Sequence, residues 1–336
     1  MANRIERLRA KIRRGDADAM TSLGYAYRYG RGVTQSIPRA LHWYRRAARL
    51  DEPHAHANLS ITYLDGQGVR VDLERFFRHA SRAAELGHTR SRIRVACAYL
   101  EAEGTRRNRR LGRKLLEDLE EEGWWRARRE LARRLCDGEC LPKNEALGLQ
   151  LFRKGVRQGD ADCLRDLGTY YHDDEHGPAG YRRASKYYER AARLGSVFAM
   201  IRLHECFDEG HEHAVRKDVR RASAWLRRAV KAPYDEDFSS WAWFLLAERL
   251  IEGRGVRRDL PQAIRLLRRA ARDEYGPACL TLAELAFEGR GMQRDLRKAR
   301  EWMRMAKSLG QDVRKLEWRM KRGAQRIARA TDGVSN

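Results

Sequence analysis

The fold is decided by residues 15–50, which read GDADAMTSLGYAYRYGRGVTQSIPRALHWYRRAARL. This stretch predicts a helix of small residues, a tight turn at Gly30 and Gly32, and a basic amphipathic second helix. The start of the first helix recurs every 36 residues, counted from Gly15. A fixed period of this length is typical of a solenoid, in which each repeat packs only on its neighbours. The later starts fall at Asp51, Gly87, Gly123, Gly159 and Gly195.

One face of each first helix is predicted to be buried. The pair Leu23 and Gly24 is followed by Tyr27, four residues after the leucine. Residues three or four apart lie on the same side of a helix, so this apolar face is expected to point into the stack. The small residue beside the leucine is expected to let the second helix approach closely. The leucine position recurs at Leu59, Val95, Leu131, Leu167, Leu203, Leu246 and Leu282.

The two helices of a repeat are joined by a Gly-x-Gly turn, in which glycine supplies positive φ and ends the first helix. No strand precedes the turn, so a dinucleotide-binding loop is not expected. The pattern is intact in repeats one, two, seven and eight but degenerate in residues 102–104, 138–140 and 174–176. The geometry of these three turns is therefore not predicted. Aspartates suited to cap the second helix are Asp72, Asp218, Asp259 and Asp295.

These motifs resemble the Sel1-like repeat, a relative of the tetratricopeptide repeat that is built from helix pairs. The pattern LG…Y..G.GV…A..W is nearly complete in the first, second, seventh and eighth repeats. The resemblance implies an all-α fold, a right-handed superhelical solenoid of about eight repeats with a capping helix at each end. The predicted domains are an N-terminal capping helix at 1–14, the solenoid at 15–310, a C-terminal capping helix at 311–330 and a disordered tail at 331–336.

The chain is strongly basic, because Lys and Arg outnumber Asp and Glu by 70 to 47 and the formal net charge is +23. Such a charge favours acidic proteins, phosphate-bearing ligands or anionic surfaces as partners. We find no apolar region of a signal peptide and no apolar run of about 18 residues, so neither export nor a membrane span is expected. The six scattered cysteines fit a reducing cytoplasm, which is the predicted localisation.

The resemblance to tetratricopeptide repeats also predicts a binding groove, lined by the first helices at positions two and five residues on either side of the leucine. Repeats three to five contribute arginines there, which can hold carboxylates in bidentate pairs. Repeats six to eight contribute mainly apolar side chains, typical of protein-binding hot spots. The alternative is that the apolar positions pack within their own repeat and the arginines are only solvated. The predicted partner-binding residues are Tyr25, Arg28, Arg90, Arg126, Arg129, Arg133, Arg165, Phe198, Ile201, Trp241, Phe244, Glu248, Leu280 and Phe287.

Nothing in the sequence predicts catalysis, a cofactor or a metal site. Gly-x-Ser-x-Gly, Walker and His-Glu-x-x-His motifs are absent. Residues 172–176, together with His211 and His213, could offer metal ligands. They lack the closed four-ligand spacing of a metal site, so a polar loop is the favoured interpretation.

We therefore expect a non-enzymatic scaffold that binds an acidic partner protein in its concave groove. The resemblance implies one of two roles. Sel1-like proteins are mostly adaptors in bacterial signalling and host interaction, and some resemble immunity proteins that neutralise a secreted toxin such as a phospholipase. A cytoplasmic, strongly basic chain with a single repeat array suits an immunity or inhibitor role. The alternatives are a signalling adaptor and a solenoid that binds nucleic acid or a phosphate-bearing ligand, which the charge of +23 favours.

Overall fold

The computed structural model describes residues 2–210 and 215–322. Helices dominate this part of the chain, and no β-strand occurs in it. The elements are α1 (Ala2–Arg13), α2 (Ala17–Tyr29), α3 (Ile37–Ala48), α4 (Pro53–Asp65), α5 (Leu73–Glu85), α6 (Thr89–Glu101), α7 (Arg109–Glu121), α8 (Trp125–Asp137), α9 (Glu145–Arg157), α10 (Ala161–Tyr171), a 3-10 helix (Asp174–His176), α11 (Gly177–Arg193), α12 (Val197–Glu209), α13 (Val219–Lys231), α14 (Ser239–Glu252), α15 (Leu260–Arg272), α16 (Gly276–Glu288) and α17 (Leu296–Ser308).

The chain divides into two compact units, unit 1 at residues 1–160 and unit 2 at residues 161–336. Unit 1 contains α1 and the helix pairs α2/α3, α4/α5, α6/α7 and α8/α9. Unit 2 contains the pairs α10/α11, α12/α13, α14/α15 and α16/α17. Within its unit each pair packs on the next in chain order. The prediction of an all-α solenoid of helical hairpins is confirmed in the described residues.

The small residue beside the repeat leucine allows the two helices of a pair to meet closely. A Cβ atom on Gly24 would lie 2.6 Å from Cε1 of Tyr44, and one on Gly168 would lie 2.5 Å from Cδ1 of Tyr188. Both tyrosines are almost completely buried. The predicted reason for the Leu-Gly pair is therefore confirmed at both positions, because any larger side chain would push the helices apart.

Apolar residues continue beyond the repeats at both ends. Ile5 and Ile12 of α1 are buried in the core of unit 1. Residues 314–322 are helical, and Val313 and Leu316 are buried. The predicted C-terminal capping helix extends to residue 330, so its last part and the predicted tail at 331–336 lie outside the described residues.

The predicted N-terminal caps of the second helices are confirmed. The Asp72 carboxylate accepts a hydrogen bond from the Arg75 amide at 2.9 Å, and Asp259 accepts one from the Gln262 amide at 2.8 Å. Asp218 and Asp295 form the same bond at α13 and α17. Each carboxylate satisfies one of the amides that a helix leaves without a partner at its start, which stabilises the helix by about 1 kcal/mol.

The turn between the helices keeps its geometry in two of the three degenerate repeats. Gly30 and Gly32 have φ values of 67° and 79°, as expected for glycine. In the third repeat Ala102 adopts the same left-handed conformation with φ of 67°, and in the fourth Gly138 and Cys140 have φ values of 75° and 60°. The fifth repeat has the 3-10 helix instead. A side chain in this region costs about 1 kcal/mol, so the third and fourth turns are strained.

Replacement of Ala102 by glycine is expected to raise the free energy of unfolding by about 0.5–1 kcal/mol, because glycine adopts this φ without a Cβ clash. Replacement of Gly104 by alanine is the opposite case, since its Cβ would lie 1.7 Å from the Leu73 carbonyl oxygen. This variant is expected to lose more than about 2 kcal/mol. Urea unfolding followed by circular dichroism measures both changes, and an unchanged stability of Ala102→Gly would contradict the strain.

Two histidines form a buried contact between α4 and α5. Nδ1 of His56 lies 3.0 Å from Nδ1 of His79, and Nε2 of His56 lies 3.1 Å from the Ala48 carbonyl oxygen. One proton can lie between the two Nδ1 atoms when both rings are neutral, whereas two protonated rings would place two protons there and repel each other. Burial lowers the pKa of His56, and burial together with the charge of His56 lowers the pKa of His79 to about 4.

The stability of unit 1 is therefore expected to depend on pH. The unfolded chain takes up protons on these histidines at a pKa of about 6.5, whereas the folded chain resists them. Their contribution to stability is present above about pH 6.5 and is lost as the pH falls toward 4. Urea unfolding between pH 7 and pH 4.5 should show this loss in the wild type. The loss should be smaller in His79→Gln and unchanged in His42→Gln, which replaces an exposed histidine.

Candidate protein-binding faces

The first helices of unit 1 follow one another along one side of the unit. Nη2 of Arg28 in α2 donates a hydrogen bond to Oε1 of Gln67, just beyond α4, at 2.8 Å. The ring of His54 in α4 lies 5.0 Å from that of His88, which caps α6. Glu101 at the end of α6 pairs with an arginine of α8. We call face 1 the exposed and half-exposed side chains Tyr25, Arg90, Trp125, Arg126, Arg129 and Arg133 of these helices.

The two predicted residues of the first repeat have different environments. Tyr25 is 39% exposed, and its ring packs against Tyr29 at 4.5 Å and under the guanidinium of Arg31 at 5.1 Å. Arg28 is only 8% exposed, because it binds Gln67 and approaches Asp65 in the next repeat. Tyr25 is thus available to a partner, whereas Arg28 joins two repeats.

The three predicted arginines of α8 share one side of the helix, since they are spaced by three and four residues. The guanidinium groups of Arg126 and Arg129 lie 4.9 Å and 5.8 Å from the ring centroid of Trp125, which is 39% exposed. Arg133 forms an ion pair with Glu130 at 2.8 Å. The structure therefore brings Arg126 and Arg129 to the ring of Trp125 on the surface of unit 1, and Arg133 lies further along the same side of α8.

Arg90 is exposed near the start of α6, and the structure adds a neighbour that sequence reasoning missed. Arg94 lies one turn further along α6 and is half-buried. It stands directly before the repeat position of Val95, whereas the groove pattern considered only positions two and five residues away. Arg90 and Arg94 are four residues apart, so they lie on one side of the helix. This spacing was the signal that could have identified Arg94.

The first helices of unit 2 are also neighbours in chain order. Arg165 of α10 lies 5.8 Å from the ring of Phe198 in α12. Arg249 of α14 forms an ion pair with Asp208 of α12. The ring of Phe244 in α14 lies 5.4 Å from Tyr275, which caps α16. We call face 2 the half-exposed side chains Phe198, Trp241, Phe244, Glu248, Leu280 and Phe287 of these helices.

Two other predicted residues of unit 2 are less available. Ile201 is completely buried in α12, so it packs within the repeats, as the alternative interpretation held. Arg165 forms ion pairs with Asp162 at 3.1 Å and Asp166 at 3.2 Å. Its charge is therefore already compensated within the unit.

Glu248 introduces a carboxylate among the aromatic side chains of face 2. Burial raises its pKa, Glu252 raises it further, and Arg249 acts in the opposite direction. Glu205 and Glu284 occupy the equivalent position on α12 and α16, two residues after the repeat leucine. Face 2 thus differs chemically from face 1, because the charged residue among its six members is Glu248.

A buried polar cluster between α12 and α14 was not predicted. Asp208 pairs with both Arg249 and Arg254, and Nη2 of Arg249 lies 3.4 Å from Nε2 of His204. Burial lowers the pKa of His204 to about 4, and the charge of Arg249 acts in the same direction. The cluster joins two successive repeats, so its role is structural in the same way as that of Arg28 in unit 1.

The proposed metal ligands do not assemble into a site in the part of the chain that the structure describes. Within that part, no group of three or more His, Cys, Asp or Glu side chains could hold a metal ion. His211 and His213 lie outside the described residues. No helix of the described chain is both long and apolar enough to cross a lipid bilayer.

Helix pairs that repeat every 36 residues and present side chains from their first helices define a helical-repeat scaffold. The chain belongs to the Sel1 repeat family, whose members bind protein partners. The family model matches residues 17–52, 53–88, 89–117, 125–160, 161–196, 197–234, 244–275 and 276–311. The predicted family and its eight repeats are confirmed.

Similar solved structures come from several bacteria. A Sel1 repeat protein from Oxalobacter formigenes is 22% identical, with a TM-score of 0.57, over 94% of this chain and 90% of that one. A protective antigen of uropathogenic Escherichia coli is 24% identical, with a TM-score of 0.49, over 89% of this chain and 70% of that one. The immunity protein Pa5087 of Pseudomonas aeruginosa is 17% identical, with a TM-score of 0.40, over 66% of this chain and 81% of that one. The last two scores are too low to argue from, and a comparison with curated proteins gives no significant match.

Two adjacent arginines of α8 are expected to respond differently to removal. Arg134 is 3% exposed and pairs with Glu101 and Glu130, so Arg134→Ala removes a buried side chain, leaves Glu101 without its partner and leaves Glu130 with Arg133 alone, and should cost about 2 kcal/mol. Arg133 is exposed, and loss of its ion pair should cost less than about 0.5 kcal/mol. Urea unfolding of both variants tests this difference, and equal losses would contradict the division into structural and surface arginines.

Proposed function

We propose that this protein is a non-enzymatic scaffold that binds an acidic partner protein through face 1. The observation that carries the proposal is the packing of Arg126 and Arg129 against the exposed ring of Trp125, with Arg133 exposed one turn further along α8. Arginine and tryptophan are the residue types most enriched in protein-binding hot spots. The net charge of +23 supports the same partner chemistry, because it attracts acidic proteins over long distances.

The arginines would act by donating paired N–H groups to carboxylates of the partner. A guanidinium that packs over an indole ring, as Arg126 does over Trp125, can still donate in its own plane, and the packing restricts its side-chain motion. Less entropy is then lost on binding. Tyr25 would add a second aromatic contact on the same side of unit 1. Arg28 and Ile201 do not form part of this proposal, because both are buried.

Face 2 offers a different kind of contact. Its aromatic side chains can take an apolar ridge of a partner, and Phe244 and Tyr275 already pack on each other at 5.4 Å. Glu248 would oppose an acidic side chain at this place and so restrict which partners fit. We include Trp241, Phe244, Leu280 and Phe287 as contact residues and Glu248 as a selectivity residue.

The narrower form of the proposal is an immunity protein that neutralises a secreted toxin, such as a phospholipase effector. An inhibitor of this kind covers an acidic surface of the toxin and needs only binding energy from its own side chains. It is consistent with the family and with the basic charge. A signalling adaptor would use the same face for a different acidic protein.

A phosphate-bearing ligand, including nucleic acid, is the second candidate. A surface cavity of about 800 Å³ in unit 2, between α11 and the start of α13, favours it. Cationic side chains outnumber the two carboxylates in its lining, which suits a phosphate group. The cationic side chains are Arg182, Lys186, Arg216, Lys217, Arg220 and Arg221.

Charge reversal of Arg126, Arg129 and Arg133 to glutamate is expected to reduce capture of acidic proteins from a lysate of the source organism by about tenfold or more, because each lost bidentate pair removes over 1 kcal/mol. The measurement is affinity capture followed by quantitative mass spectrometry. A secreted toxin among the proteins lost would support the immunity role.

The matched control reverses Arg109, Arg110 and Lys114 on α7, which are exposed and change the net charge equally. Equal capture by the wild type and both variants would contradict the assignment to face 1, and so would an equal loss in both variants. Retention of single-stranded DNA on filters at low salt, without capture of any acidic protein, would favour the second candidate.

A further inference from the structure

Arginines crowd the beginnings of α6 and α8, which are adjacent in unit 1. Some have a carboxylate partner: Arg92 pairs with Glu122 at 2.7 Å, and Arg128 pairs with Glu120 at 2.9 Å. Others have no ion pair and no hydrogen bond to any side chain in the described part of the chain. These are Arg90, Arg94 and Arg126.

Sγ of Cys97 in α6 lies 3.6 Å from Oε1 of Glu130 in α8, and Glu101 pairs with Arg134, so the two helices lie side by side. Arg94 and Arg126 stand about one helical turn before Cys97 and Glu130, which places both arginines beside this contact.

Burial lowers the pKa of Arg94, and the positive charges of Arg90 and Arg126 lower it further. Asp65 acts in the opposite direction, but its carboxylate lies 4.0 Å from Arg28. A half-buried charge next to two like charges is unfavourable, because water screens the repulsion poorly there.

The two helix ends add to this unfavourable potential. Arg90 lies in the first turn of α6 and Arg126 in the first turn of α8, and neither turn contains an acidic residue. The start of a helix carries a partial positive charge that favours anions and disfavours arginine. Two helix ends and three arginines thus create one positively charged region, and no described carboxylate forms an ion pair with these arginines.

We propose that Arg90, Arg94 and Arg126 form a subsite that binds aspartate or glutamate side chains of the partner protein between α6 and α8. This inference rests on the proposed function and names the part of unit 1 that recognises the partner's charge. Each guanidinium can donate a fork of two N–H groups to one carboxylate. Arg94 gains most from such a pair, because it is half-buried. The partner supplies the countercharge that the free protein lacks.

The exposed indoles beside the subsite favour a protein segment over a free anion. Trp124 and Trp125 are 43% and 39% exposed, and Arg126 lies 4.9 Å from the ring of Trp125. Tryptophan supplies a large contact area in protein interfaces, which an inorganic anion would leave uncovered. We therefore assign the ligand to an acidic peptide segment.

The test compares binding and stability in the same variants. Arg94→Met removes the charge and keeps the length of the side chain. Its affinity for a fluorescein-labelled hexaglutamate peptide, measured by fluorescence anisotropy, is expected to fall about tenfold. Its urea midpoint without peptide is expected to equal or exceed that of the wild type. Arg94→Lys should bind with intermediate affinity, because it keeps the charge but loses the fork.

The control is Arg110→Met, which removes an exposed arginine of α7 and should change neither quantity. Unchanged peptide affinity in Arg94→Met would overturn the subsite, as would a lower urea midpoint, which would assign Arg94 a structural role. Complete displacement of the peptide by inorganic phosphate, against sodium chloride at equal ionic strength, would overturn the assignment to a peptide. If Arg94→Met binds normally while the α8 charge reversal still loses its acidic proteins, the proposed function stands without this subsite.

Discussion

The close approach of the two helices of a repeat, as at Gly24 and Gly168, is the constraint on which the rest of the structure depends. Gly24 and Gly168 lie against tyrosine rings at distances that leave no room for a Cβ atom. Helices in such close contact bury their apolar sides efficiently and hold one orientation. The outward side of each first helix therefore has a defined position relative to its neighbours within a unit. A protein-binding face built in this way is ordered before any partner arrives, which lowers the entropy lost on binding.

Arginine serves two opposite purposes on these helices. Arg28, Arg134 and Arg249 are buried and bind polar groups of neighbouring repeats, so their charges contribute to cohesion. Arg90 and Arg126 are exposed and have no carboxylate partner among the described residues. A buried arginine must be paired because an uncompensated charge in a poorly hydrated place is expensive. An exposed one can remain unpaired, because water solvates it until a partner does.

The excess positive charge of the chain is unevenly placed on its candidate faces. Face 1 in unit 1 combines arginines with Tyr25 and Trp125. Face 2 in unit 2 combines aromatic and aliphatic side chains with Glu248, and Glu205 and Glu284 stand at the equivalent repeat positions. Charge complementarity contributes more to selectivity and association rate than to affinity. Two faces of different chemistry therefore restrict the choice of partner more than a uniformly basic surface would.

The sequence by itself determined the helices, the Gly-x-Gly turns and the aspartate caps. These features depend on residues within about one helical turn of each other, so a period of 36 residues is enough to place them. Five of the six residues of face 1, all except Trp125, were among the predicted groove positions, because the resemblance to tetratricopeptide repeats assigns those positions on each first helix.

Only the tertiary structure decided which of the charged residues are buried. Arg28 meets Thr62 across 34 positions of the chain, and Arg249 meets His204 across 45. The direction of each side chain and the neighbour that it finds depend on the packing of successive repeats, which no local pattern encodes. The strained turn at Ala102 is a further case, since the neighbouring repeats impose a conformation that alanine alone would avoid. The side of α6 on which Arg94 lies could be derived from its spacing of four from Arg90, but its partial burial is visible only in the packed structure.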